Sequence, residues 1–134
     1  MRYQRAEPPV KLDGVEAARG FFAGCFADTD AGIETLWVAH VDNQARCLRL
    51  ARYSGGETSA TFPLRSIIAD AAAHGSAGLV LAHNHPSGDS TPSQQDCSAT
   101  TRLAAAAQAI DCAVVDHLVF AGTRCTSLRR MGLL

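Results

Sequence analysis

The chain has 134 residues, 47% of them hydrophobic, with 12 basic and 13 acidic side chains and a formal charge of −1. That length suits one domain with a single real core, and no apolar run approaches the ~20 residues that would span a bilayer. The near-neutral balance offers no broad capture surface for nucleic acid, and the polar first nine residues lack an apolar export signal, so a cytoplasmic location is expected.

Residues 1–13, with Pro8-Pro9, read as a flexible arm. Residues 14–27 carry Val15, Ala18, Phe21, Phe22, Cys25 and Phe26 at helical spacing, and 28–32 form a turn. Glu34 then heads a β-rich run, 35–41, and Asp42-Asn43-Gln44 turns it into a returning strand over 45–53. Gly55-Gly56 interrupts the chain, and 58–62 offers a further short strand. Leu64, Ile67, Ile68 and Ala71 share one face of a helix over 63–74. The run 78–82 is short, continuous and apolar, as a buried strand is, and it ends on His83. Thr91 suits an N-cap, Pro92 the first helical position and Gln94 the third place of a capping box. The helix they open is expected to run to about residue 109, burying Leu103, Ala106, Ala107 and Ile110. Residues 113–120 form another strand, Gly122 begins a turn, and 126–134 is ambiguous. Helices interleaved with strands, some paired as a hairpin, predict an α/β sandwich around a mixed sheet. That alternation places His83 at a strand's carboxyl end, where open α/β sheets bind ligands.

The five cysteines (25, 47, 97, 112 and 125) are odd in number and form no Cys-x-x-Cys pair, which fits packed thiols in a reducing compartment. Cys97 adjoins Asp96 but projects about 100° away around the helix, so it is read as a packing residue. His40 and His74 are read as surface or core-edge residues.

The chemistry concentrates between His83 and Asp96. His83 and His85 point the same way if the strand persists, and Asp96 lies about one turn into the next helix, from where its carboxylate could swing back. Two imidazoles and one carboxylate make a three-ligand metal site with a fourth position open to water. His-x-His alone in a polar loop is more often solvated than metal-bound, so the downstream aspartate matters. Hydrolysis at such a site needs a base, and Glu34, at the head of a neighbouring strand, is the leading candidate. Ser93, three residues before Asp96 and on nearly the same helix face, could direct its hydroxyl at an oxyanion. In Asp116-His117, adjacent strand residues face opposite ways, so at most one can steady a ligand histidine, and a hydrogen-bonded structural pair is the plainer reading.

Glu34, then His83-x-His85, seven residues, Ser93, two residues and Asp96 resembles the JAMM signature of JAB/MPN metalloproteases. More narrowly, His-Asn-His-Pro-Ser-Gly-Asp followed by Thr-Pro-Ser-x-x-Asp resembles the RadC-like JAB branch. Pro63, Arg65, Thr100 and Asp116-His117 fit the same branch. The resemblance covers roughly residues 34–134. It implies a three-layer α/β/α sandwich of the JAB/MPN (cytidine-deaminase-like) fold and one zinc ion per chain on His83, His85 and Asp96. It also implies Glu34 as general base, Ser93 as support for the tetrahedral intermediate, and peptide or isopeptide bonds as substrate class. The branch carries a DNA-repair label. The chain is read as a single domain with no room for the N-terminal helix-hairpin-helix region of longer relatives, which takes weight from that label.

Three rivals stand beside this reading. A zinc nucleobase deaminase would show His-x-Glu and Pro-Cys-x-x-Cys, and the corresponding places here hold His85, Ser93 and Asp96. Two histidines and a carboxylate also describe a non-haem iron site. The last rival, from another class, is a catalytically silent module that binds protein or nucleic acid through the same pocket.

Overall fold

The computed structural model describes residues 2–4, 10–54 and 62–134. Strands β1 (Arg2–Gln4), β2 (Thr35–Val41), β3 (Cys47–Ser54), β4 (Gly78–Asn84), β5 (Ala113–Ala121) and β6 (Arg124–Ser127) form one six-stranded sheet in the order β1-β3-β2-β4-β5-β6. Only β4 and β5 are parallel; every other neighbouring pair is antiparallel. A parallel pair needs a crossover, and helix α3 (Gln94–Gln108) supplies it.

The apolar alternation of the strands sorts the core into two halves. Trp37, Ala39, Val80 and Ala82 pack with Ala18 and Phe22 of α1 (Val15–Ala27) on one face. Leu36, Val38, Leu79 and Leu81 pack on the other with Ile67 and Ala71 of α2 (Leu64–His74) and Leu103 and Ala107 of α3. The result is the three-layer α/β/α arrangement, with β2 and β4 buried along their whole length. Both strands are therefore apolar throughout, with polar residues gathered at their ends. Gly78, which begins β4, allows a close approach: a Cβ there would lie 3.0 Å from Val41 Cγ2 and 3.1 Å from Val115 Cγ2.

Several expectations are corrected. Residues 2–4 do not form part of a flexible arm; they pair with β3, Tyr3 opposite Ala51, and cover that strand's outer edge. Leu12 is fully buried, and its N–H donates to Ala45 O. The suggested strand over 58–62 falls outside the described residues except for Phe62, which packs beside the α2 and α3 core. The segment 126–134 begins in β6 and continues as tight turns, with Leu128 buried. His40 is fully enclosed and no surface residue; its Nδ1 lies 2.8 Å from Ser76 Oγ.

Candidate metal centre

Two strand ends and one helix start build the site. Strand alternation puts His83 on the α2/α3 face with Leu79 and Leu81, and His85 follows two residues later. In the antiparallel β2, Leu36 pairs with His83, so Glu34, two residues before Leu36, stands over the same face. The third component comes from α3. Its N-cap is Ser93, not Thr91: the Ser93 hydroxyl oxygen accepts from Asp96 N at 2.9 Å, and the Asp96 carboxylate accepts from Ser93 N at 2.8 Å. This reciprocal capping box satisfies two backbone donors that a helix start leaves open, and it fixes the Asp96 carboxylate toward the strand tip. Aspartate takes the place where glutamate or glutamine is usual. Thr91-Pro92 carries residues equally suited to a helix start two positions earlier, and only the contacts of Ser93 with Asp96 distinguish the two caps.

His83, His85 and Asp96 converge. His83 Nε2 lies 2.9 Å from His85 Nε2 and 3.4 Å from Asp96 Oδ1, and His85 Nε2 lies 3.0 Å from Asp96 Oδ2. Donors sharing a tetrahedral ion through bonds of ~2.0–2.2 Å stand about 3.4 Å apart, so the cluster is close to that spacing and slightly contracted. Glu34 Oε1 is 3.9 Å from His83 Nε2, and ligand atoms of Glu34, His83 and His85 all lie within 4.8 Å of one another. The residues could therefore hold a metal ion through either carboxylate. Asp96 is the nearer, touching both imidazoles, while Glu34 stands off by an extra gap suited to a water-mediated contact.

Hydrogen-bond direction supports the same assignment. His85 Nδ1 is 2.8 Å from the Asp89 carbonyl, which can only accept, so Nδ1 carries the proton and neutral His85 presents a lone pair at Nε2. The turn that offers this carbonyl is held by Ser87 Oγ, accepting from Asp89 N, and by Asp89 Oδ1, accepting from Thr91 N. For His83 the chain of bonds is longer. Thr100 Oγ1 donates to the Asp96 carbonyl at 2.7 Å, so it accepts from His117 Nδ1, also at 2.7 Å. His117 Nε2 is then the acceptor for His83 Nδ1–H at 2.7 Å, and His83 Nε2 is left with its lone pair facing inward. Two lone pairs 2.9 Å apart repel unless a proton or cation lies between them. The donor set fits a divalent cation of the zinc type.

The electrostatics agree. Burial opposes ionisation of Asp96, but positive charge on the imidazole side of the cluster, which a proton or a cation between the two Nε2 atoms would supply, and the Ser93 N–H outweigh it and hold the carboxyl well below the usual range. Complete burial pushes His117 well below the ordinary histidine value and keeps it neutral. Asp116 turns to the other side: Ser127 Oγ donates to its Oδ2 at 2.6 Å, and the backbone N–H groups of His117 and Arg129 donate to its Oδ1. It ties β5 to β6 and has no part in the cluster. Of the Asp116-His117 pair, only the histidine faces the site. Thr100 in this role was not foreseen, although its i, i+4 spacing from Asp96 was a usable signal.

Beside His85, on the α1 side, a groove of about 620 Å³ opens between α1 and the ends of β4 and β5. Ala23, Phe26, Pro86 and Phe120 give it an apolar lining, and Arg19 stands at its rim.

A family model described as the RadC-like JAB domain matches residues 13–133. Among curated relatives, the UPF0758 protein YfjY of Escherichia coli strain K12 is 42% identical over 82 residues, which is 61% of this chain and 51% of that protein. A UPF0758 protein of Chloroflexus aggregans is 38% identical over 81 residues, 60% of this chain and 35% of its own length. The matched stretch thus spans between about a third and a half of these relatives.

Proposed function

The chain belongs to the RadC-like JAB domain family, and from that premise and the geometry of the cluster we propose that it is a zinc-dependent hydrolase of peptide or isopeptide bonds. The observation that carries the reading is the convergence of two imidazole lone pairs and one ionised carboxylate, each oriented by a hydrogen bond from behind. Zinc held by His83, His85 and Asp96 would lower the pKa of a water in its fourth position toward ~7. Glu34 stands at the right remove to act as general base: it accepts the water proton as oxygen attacks the carbonyl carbon, then delivers it to the leaving amine nitrogen as the C–N bond breaks. The Ser93 hydroxyl oxygen already accepts from Asp96 N, which leaves its own O–H to donate to the carbonyl oxygen as negative charge develops there. The apolar groove beside His85 is where the substrate chain would lie on the α1 side.

Freshly purified protein is expected to hold one zinc per chain by elemental analysis and to cleave members of an unbiased peptide pool. Glu34→Gln should retain the zinc and lose turnover by roughly 100- to 10,000-fold. Loss of the metal in that variant would make Glu34 a ligand and overturn the assignment. Iron in place of zinc, with oxygen uptake, would move the protein to the other chemistry that two histidines and a carboxylate support.

A further inference from the structure

Among the described residues, Asn84 stands out because its side chain faces away from the cluster and yet grips the backbone of the proposed base. It is the last residue of β4 and lies between the two histidines, so alternation turns it to the α1 face while His83 takes the other. It is buried, and both ends of its carboxamide are used. The Thr35 N–H donates to Asn84 Oδ1 at 2.7 Å, and Asn84 Nδ2 donates to the Ile33 carbonyl at 3.0 Å. These partners belong to the two peptide groups on either side of Glu34. Leu36↔His83 is the last Cα pairing of β2 with β4, so beyond it the carboxamide takes over as the tie between the strand ends.

We propose that Asn84 is a positioning residue that sets the reach of Glu34 over His83, working from behind the sheet. The inference rests on the hydrolytic reading above, in which Glu34 is the base. A glutamate one residue before its strand has no ladder of its own to fix φ and ψ, and a small rotation there would carry its carboxylate away from the 3.9 Å approach to His83. A carboxamide is the group that fits: it offers one acceptor and one donor at fixed spacing, matched to an N–H and a C=O. Aspartate at this place would keep the bond from Thr35 N and set an oxygen against the Ile33 carbonyl. Asn84 therefore fixes the base while leaving the metal ligands to their own supports, Asp89 and His117.

The test uses the whole chain with zinc, and acetohydroxamate as the probe, since a hydroxamate chelates zinc and shares its acidic proton with a neighbouring carboxylate. Wild type, Glu34→Gln, Asn84→Ala and the double variant are compared for zinc affinity by chelator competition and for acetohydroxamate binding. Both single variants should keep wild-type zinc affinity and weaken the probe by about tenfold, and the double variant should be no weaker than either single one. The Thr35 amide should also exchange with solvent faster in Asn84→Ala than in Glu34→Gln. A tenfold or greater loss of zinc affinity in Asn84→Ala, or multiplying losses of the probe in the double variant, would overturn the proposal. If Glu34→Gln leaves probe binding unchanged, the base assignment fails first. If it weakens the probe and Asn84→Ala does not, the failure belongs to Asn84 alone. Should Asn84→Ala fail to fold, Asn84→Asp serves the same comparison, with the same zinc affinity and a weakened probe expected.

Discussion

Two buried histidine environments occupy opposite ends of the same sheet face, and only the His83 end gathers further imidazole and carboxylate groups around it. His40 sits near the far end of β2, opposite Leu79, while His83 closes β4 at the other end. Both imidazoles are buried. His40 bonds Ser76 through Nδ1, and its Nε2 has no hydrogen-bond partner among the described residues. His83 has its Nδ1 on His117 and its Nε2 aimed at His85 and Asp96. Burial alone therefore does not gather a donor cluster. What separates the two ends is a second set of groups that fixes each proton and brings a carboxylate to the same point.

The sharpest break is to remove one imidazole from each end. His83→Ala should lose stoichiometric zinc, and with it turnover, whereas His40→Ala should keep one zinc per chain at some loss of thermal stability. Elemental analysis after dialysis checks both. Zinc retained in His83→Ala would erase the distinction between the two ends.

Acid provides the next contrast. Burial, opposed mainly by the nearby Asp70 carboxylate and aided by His74 and Arg49, lowers His40 from the ordinary 6.5 to about 4. The unfolded chain therefore takes up this proton first as pH falls, so the stability it contributes is present above about pH 6.5 and is lost progressively toward pH 4. The shift corresponds to roughly 3 kcal/mol at full protonation. Urea unfolding of wild type and His40→Gln at pH 7 and pH 4.5 should show a smaller acid loss in the variant. Equal losses would mean that another group carries the pH dependence.

How much of this was legible differs between the two ends for the same physical reason. The strand 35–41 and the apolar run into His83 were readable because buried strands write themselves as short apolar stretches, and the convergence of His83, His85 and Asp96 followed from local spacing. His40, by contrast, looked like a polar interruption near a strand end, and nothing local reveals that Ser76, 36 residues away, encloses it. The same limit applies to His117: adjacency to Asp116 suggested a pair, while its partners, Thr100 and His83, come from other elements. The β1 pairing depended on an open edge of β3, which a linear reading does not display. Asn84 was hidden between two more conspicuous residues.

The proton chain behind His83 offers a subtler cut. Thr100→Val removes the hydroxyl that accepts from His117 Nδ1 while preserving shape, so His117 loses the bond that makes its Nε2 the acceptor for His83. Zinc affinity should fall by about 10- to 100-fold, and Thr100→Ser should restore most of it. Chelator competition measures both. An unchanged affinity in the valine variant would show that His83 keeps its orientation without the Thr100 end of the chain.

The smallest effects are expected in the groove, which touches the cluster only through His85 and its neighbours. Ala23 is exposed on α1 and lines this space, so Ala23→Trp should fill it without disturbing the core. For a peptide that the wild type cleaves, KM should rise by about three- to tenfold with kcat and zinc content little changed, the signature of lost uniform binding. Among the described residues that line it, Arg19 is the only one with a permanent charge, and its long 3.3 Å bond to the Thr123 carbonyl leaves most of its donors toward solvent. Arg19→Glu should therefore discriminate against acidic peptides and leave neutral ones nearly untouched. A surface charge of this kind is worth about 0–1 kcal/mol, so the ratio of KM values for an acidic and a neutral peptide is the quantity to measure. A fall in kcat equal to the fall in kcat/KM would instead place the groove's influence on the reacting groups, and the separation between a rigid centre and a permissive substrate path would no longer hold.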